Sequence, residues 1–346
     1  MRTDATRRSG WLEGKEPLND DAVRAPGGAA SQRPAKGVEE PSFKDLLQLV
    51  AMNSGPLESA VELDRSSSLE SAKFAAGADV LVKEGYGTFV EAFGQEVMPH
   101  VRLNAPVTKI SYGASGVSVE TATKERFKGR KVLVTVSTGV LASGKIAFEP
   151  ALPADKREAI AGLPMGLLNK VILEFSTADV FPEDDGAALD NTWVLYGGDL
   201  GSREDDMAFV FRPMDTNTAI GFFGGDRAWE LEKQPGRGKD AMTKLAVTAM
   251  SAMCKCDAGK ALVKSRTTAW GSESWTHGAY SAALPGKSAM RGVLAKPVAH
   301  QVYFAGEACY NATYNGSFAA AYNSAIQASY TLLRCLKRED GGAPCK

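Results

Sequence analysis

Lys170 stands near the head of a strongly apolar run, LLNKVILEF (167–175). A lysine in such a place either snorkels to solvent or is buried. A buried ammonium is easier to deprotonate, and it then serves as a base or polarises a water. Both readings stay open on the residues alone. A second chemical segment is YFAGEA (303–308), followed by YNGSFAAAYNSA (314–325). It delivers Gly306 and Glu307 to a loop, and a helix starts close to Gly316. A helix N-terminus carries unpaired N–H groups and partial positive charge, which suits a phosphate or an electron-rich ring. The same string also suits a plain strand–loop–helix crossover. Trp270, Trp275, Tyr280, Tyr310 and Tyr314 gather in the C-terminal third. Aromatic residues fill cores, but they also build cages that hold amines by cation–π attraction.

Other patterns carry less. VLVKEGYGTFVEAF (80–93) reads as strand, Gly-x-Gly, helix, but Val90 occupies the third glycine position of a dinucleotide fingerprint. No acid follows at the distance needed to hold a ribose, and a tight strand-to-helix turn is the better reading. Cys254 and Cys256 form a Cys-x-Cys with no further ligands nearby in sequence, so no metal site is predicted. Five cysteines are too few for a disulfide scaffold, and reduced thiols are expected. The only histidines are His100, His277 and His300, and no HExxH or GxSxG occurs.

The elements that must position these residues follow from periodicity. Residues 1–40 are rich in Gly, Ala and Pro without apolar period, and read as a disordered segment. SFKDLLQLVAMN (42–53) reads as a helix capped by Ser42 with Asp45 three residues on. A second helix is expected over 67–77, a strand at VLV (80–82), and a helix from Thr88. VRLNAPVTKISY and GVSVET alternate as strands. KVLVTV (131–136) is continuous enough for a strand buried on both faces of a parallel sheet. PADKREAIAGL is helical; NKVILEF, TWVLYG, MAFVFRP and TAIGFFGG are strands. DRAWELEK and GKDAMTKLAVTAMSAMC follow as helices, then LVKSRTTAW and QVYFAGEA as strands and 317–336 as a long helix.

Composition limits the function classes. The 346 residues, 44% of them hydrophobic, are enough for about two domains with a sizeable core. Forty basic against forty-one acidic side chains leave a net charge of -1, which argues against a nucleic-acid binder acting through bulk charge. No run is long and apolar enough for a membrane helix. The first residues have no signal-peptide pattern, which predicts an intracellular, cytoplasmic protein.

Taken in order, DVLVKEGYGTFVEAF, VRLNAPVTKISY, the stretch from KVLVTVSTGVLASGK to LLNKVILEF, WGSESWTHGAYS and YFAGEACYNATYNGSFAAAYNSA resemble the flavin-containing amine oxidases. That family includes polyamine oxidases, monoamine oxidases and lysine-specific histone demethylases. The resemblance runs from about 79 to 336. It implies a mixed α/β (α+β) fold. A partial Rossmann-type FAD-binding domain would span 79–147 and 276–336, and a mixed-sheet substrate domain 148–275. A helical segment at 41–78 and a tail at 337–346 complete the chain. The implied cofactor is FAD. The implied reaction takes a small primary or secondary amine, polyamine-like, and O2 to an aldehyde, a released amine and hydrogen peroxide.

The resemblance also implies roles. Lys170 matches the lysine bridged through water to the flavin. Val107 matches a backbone contact to the adenine end, and Gly306 and Glu307 the turn beside the pyrophosphate and ribityl chain. Ser317 and Phe318 match the pair at the flavin pyrimidine edge. Trp270 matches a flavin-lining aromatic, and Tyr280 and Tyr314 the amine pocket. Departures accompany the match. Residues 1–78 contain no strand–GxGxxG–helix unit of the kind that grips the FAD pyrophosphate. Ser137 and Thr138 replace a Pro-Leu, Glu84 a Gly and Asn315 a Pro, and Ala319 stands where a His or small residue is common. A non-catalytic remnant or interaction module that does not bind FAD therefore stands beside the oxidase.

Overall fold

The computed structural model describes residues 42–75, 81–184, 186–197 and 206–345. The segment 1–40 that composition reads as disordered lies outside the described residues, as does Val80.

The largest sheet has five strands in the order Trp193–Tyr196, Met207–Phe211, Thr218–Gly224, Leu168–Phe175 and Leu262–Thr267. All neighbours are antiparallel. Its period-two pattern separates two faces. Asn169, Val171, Leu173 and Phe175 are buried on one face, where Phe211, Phe223 and Leu167 join them. The helices Gly225–Glu232 and Lys239–Cys254 cover that face through Ala228, Leu231, Met242, Ala246 and Met250. Leu168, Lys170 and Ile172 alternate onto the other face.

That other face is covered at one end by the helix Phe43–Met52 and the turn Asn53–Leu57. The expected cap is present: Ser42 Oγ accepts from the Asp45 N–H, and Asp45 accepts from the Ser42 N–H. Met52 and Leu57 bury against Ala208, Leu168 and Phe222. The approach is close, because a Cβ on Gly224 would lie 1.9 Å from the Pro56 carbonyl oxygen. Only glycine fits there.

A four-stranded sheet, in the order Arg126–Gly129, Gly116–Thr121, Val107–Gly113 and Ala147–Glu149, forms the second core with the helices Ala154–Gly162 and Met290–Ala295. Buried Lys156 ties those two helices together, donating to the carbonyls of Val293, Leu294 and Lys296. Beside this sheet, Val132–Val134 pairs in parallel with Val302–Phe304. The helix Phe318–Asp340 follows, with a short tail after it.

Three expectations are corrected. No strand forms at Leu81 and Val82, and Leu81 is exposed; among the described residues no strand lies beside it to accept its hydrogen bonds. The run KVLVTV is a strand only over Val132–Val134, with one neighbour among the described residues and only Val134 fully buried, so among those residues it is not a doubly covered central strand. The thiols are not all reduced. Cys254 pairs with Cys256 and Cys335 with Cys345, leaving buried Cys309 free. Local backbone causes both pairings. Left-handed Lys255 ends its helix and folds Cys256 back on Cys254. The tail turns at Gly341–Gly342, and the Ala343 N–H donates to the Arg338 carbonyl, returning Cys345 to Cys335.

Candidate functional site

Lys170 lies on the central strand Leu168–Phe175, directly across from Phe222. Its Nζ is 5.3 Å from the Phe222 ring centroid. Trp193 packs on the same ring at 4.8 Å, and its indole N–H donates to Asn53 Oδ1. Burial holds the lysine below its ordinary range, as expected for a cation half-withdrawn from water. The string alone left snorkelling and burial open; tertiary packing decides for burial.

The backbone of this strand also places Trp270. The Lys170 N–H donates to Thr268 Oγ1 at 2.8 Å, and the Thr268 N–H donates back to the Lys170 carbonyl at 2.9 Å. One residue earlier, fully buried Asn169 accepts from Thr268 Oγ1 and from the Trp270 N–H. Its amide donates to Glu232 Oε2 at 2.8 Å. Glu232, also buried, accepts from the Gly271 N–H at 3.1 Å and from both the N–H and hydroxyl of Ser272. Four donors thus converge on one carboxylate and fix the turn after Trp270 against the strand that carries Lys170. Sequence reasoning missed this hub. Asn169 left a faint signal, a polar residue inside an apolar run; Glu232 in an amphipathic helix left none.

The turn continues to Tyr280. The Gly278 N–H donates to the Trp270 carbonyl, and Tyr280 pairs with Gly166. The Tyr280 hydroxyl donates to the Glu58 carbonyl at 2.9 Å. Burial, with Glu58 and Glu307 nearby, holds this phenol well above the ordinary tyrosine value, so it remains a neutral donor. Gly316 packs on its ring; a Cβ there would sit 3.2 Å from the ring edge.

Beyond Gly316 the helix Phe318–Asp340 begins. Ser317 Oγ accepts from the Ala320 N–H. The Phe318 and Ala319 N–H groups precede any intrahelical carbonyl, and both residues are exposed. Phe318 makes edge contacts with Tyr86, Phe89 and Phe93, and this aromatic face is open to solvent.

Gly306 has φ 128°, a conformation an L side chain rarely adopts, and directs the chain out of the strand Val302–Phe304. Its N–H donates to buried Ser324 Oγ at 2.9 Å. Glu307 turns inward. Its carboxylate accepts from the Ser281 N–H at 2.8 Å, the Ser281 hydroxyl at 2.7 Å and the Gly316 N–H at 3.1 Å. Arg291, fully buried, lies behind it and forks onto Glu70 at 2.5 and 2.9 Å. Glu70 and Arg291 carried no sequence signal, because their segments are far apart in the chain.

Between these groups lies a cavity of 280 Å³, lined among others by Glu58, Glu70, Phe74, Tyr280, Asn315 and Ser317. Asn315 donates to Glu70 at 3.2 Å, while its buried Oδ1 has no partner. Tyr314 does not line this cavity; it stacks on Tyr310 at 6.4 Å and is largely exposed. Trp275 is exposed too, so the five aromatic residues form no single cage. Val107 begins the strand Val107–Gly113 and packs, partly buried, against the second core.

Comparison with known proteins gives this arrangement a family. The chain is 32% identical over 332 residues to lysine-specific histone demethylase 1 homolog 1 of Oryza sativa subsp. japonica, covering 92% of the chain and 37% of that protein. It is 32% identical over 257 residues to polyamine oxidase 4 of the same species, covering 73% of the chain and 49% of the relative. The chain thus spans about half or less of the length of these relatives. In structure it resembles putrescine oxidase bound to putrescine, with a TM-score of 0.65 at 17% identity, covering 83% of the chain and 64% of the other. It also resembles cyclohexylamine oxidase from Brevibacterium oxydans IH-35A, with a TM-score of 0.62 at 20% identity, covering 85% and 64%. The family pattern described as flavin containing amine oxidoreductase matches residues 29–333, and the chain belongs to that family.

Proposed function

We propose that the chain carries the flavin-facing part of an amine oxidase that acts on a small primary or secondary amine, polyamine-like, with O2. The products are an aldehyde, a released amine and hydrogen peroxide. The observation that carries this reading is one continuous run of contacts. It leads from Lys170 through Thr268 and Trp270 to Tyr280, then to Gly316 and the start of the helix Phe318–Asp340.

The family cofactor is FAD, and the residues present fit its ring end. The free N–H groups of Phe318 and Ala319 suit the electron-rich pyrimidine edge. Tyr280 packs on Gly316 just before that helix, and Gly306 leaves room at the turn. FAD bound there would supply the two-electron oxidation of the amine, with O2 as the final acceptor. Half-buried Lys170 holds and polarises a water at its Nζ. The neutral Tyr280 phenol orients the amine pocket. Glu307 already accepts three hydrogen bonds from its own chain.

The test is a visible spectrum of the purified chain before and after incubation with FAD and desalting, with melting temperature in parallel. A retained flavin band and a raised melting temperature support the reading, since a ligand of the native state stabilises it. Lys170→Met is then expected to slow amine-dependent peroxide formation at least about tenfold, in the lower range for loss of a proton-handling group. A colourless chain whose melting temperature ignores FAD would favour the non-catalytic reading instead.

A further inference from the structure

Three separate segments meet at the far end of the terminal helix, away from Lys170. His300 comes from the turn before Val302–Phe304, Cys335 from the helix itself and Cys345 from the tail. The two sulfurs and an imidazole nitrogen all lie within 4.8 Å of one another. We propose that, with the Cys335–Cys345 pair reduced, these three side chains form a binding site for a soft divalent cation, with zinc as its natural size and charge.

The chemistry of the donors points this way. Two thiolates and one imidazole are the donor set that selects zinc over magnesium or calcium. A tetrahedral site with metal–sulfur bonds of about 2.3 Å has sulfur–sulfur edges of about 3.8 Å, close to the contact distance of two non-bonded sulfurs. Opening the disulfide therefore separates the sulfurs to the spacing the metal requires. The fourth position falls to a water or to Glu339, whose Oε1 is 3.7 Å from Cys335 Sγ and which also pairs with Lys131.

The site is held together without the disulfide. The Ala343 N–H donates to the Arg338 carbonyl at 2.9 Å, and Arg338 Nε donates to the Pro344 carbonyl at 3.2 Å. These bonds return the tail to the helix whatever the state of the sulfurs. Cys335 is buried, while His300 is exposed and Cys345 partly so, which leaves a path for an ion to enter. The loading step balances simply. A phosphine or thiol reductant supplies two electrons and two protons to open the disulfide. Both thiols then release their protons to solvent as two metal–sulfur bonds form.

The experiment uses the full chain with Cys254→Ser and Cys256→Ser, which removes the other cysteine pair. The protein is reduced with a phosphine, titrated with Co2+ as a spectroscopic probe and with Zn2+, then dialysed and analysed for metal. The expected result is one equivalent of zinc and a thiolate-to-cobalt charge-transfer band with tetrahedral ligand-field absorption. Cys345→Ser and His300→Ala are each expected to weaken binding at least about tenfold and to alter that spectrum. Cys345 lies in the tail, so its variant keeps the helices, and circular dichroism verifies this. Failure of the reduced parent to retain zinc would overturn the proposal and leave the pair as a simple disulfide. Zinc retention that is unchanged in both variants would overturn it equally.

Discussion

Glu232→Gln probes the hub that holds Trp270 against the Lys170 strand. The wild-type carboxylate is buried and accepts from Asn169, Gly271 and, twice, Ser272. Glutamine has the same shape, but one of its two terminal atoms is a donor. Placed toward Asn169 and Gly271, the new NH2 would face two donors, and Asn169 cannot flip because its oxygen serves Thr268 and Trp270. Placed toward Ser272, the hydroxyl rotates to accept, and the Ser272 N–H alone loses its partner. That second arrangement is cheaper. An unsatisfied buried donor costs about 1–3 kcal/mol, and the remaining bonds lose their charge assistance. The expected loss of stability is about 2–4 kcal/mol by urea denaturation. Hydrogen exchange should show loss of protection at the Gly271 and Ser272 amides. Glu230→Gln, an exposed change on the same helix, is the control and should move stability by less than about 0.5 kcal/mol. If Glu232→Gln matches that control, the hub does not hold the turn and the reasoning fails.

Other consequences are open to measurement. Arg291→Ala leaves Glu70 buried without its bidentate partner, and about 3–5 kcal/mol of stability should be lost; a change below about 1 kcal/mol would contradict the packing. Burial lowers the Lys156 ammonium to about 8, below its unfolded value of 10.5, so the unfolded chain binds more protons between those values. Wild type should therefore gain stability relative to Lys156→Met as pH rises from about 8 toward 10.5, and a flat difference would refute the assignment. Burial pushes the Cys309 thiol up to about 12, which predicts no reaction with a thiol reagent in the native oxidised chain and one reactive thiol after denaturation.

Much of the architecture is legible in the sequence because it is local. The Ser42–Asp45 capping box, the alternation of LLNKVILEF and the amphipathic run ending at Cys254 act within a few residues, where hydrogen bonding and burial period leave a direct trace. The order of the five quoted segments also sufficed for the family. Tertiary structure decided what depends on residues distant in the chain. It buried Lys170 against Phe222, turned Glu307 inward onto Ser281 and Gly316, and left Tyr314 on the surface beside Tyr310. It joined Asn169 to Glu232 and Glu70 to Arg291, and it brought Cys345 back to Cys335. The reason is physical. A polar side chain's role is set by which partner satisfies it once water is gone, and that partner comes from another segment whose arrival no local pattern encodes.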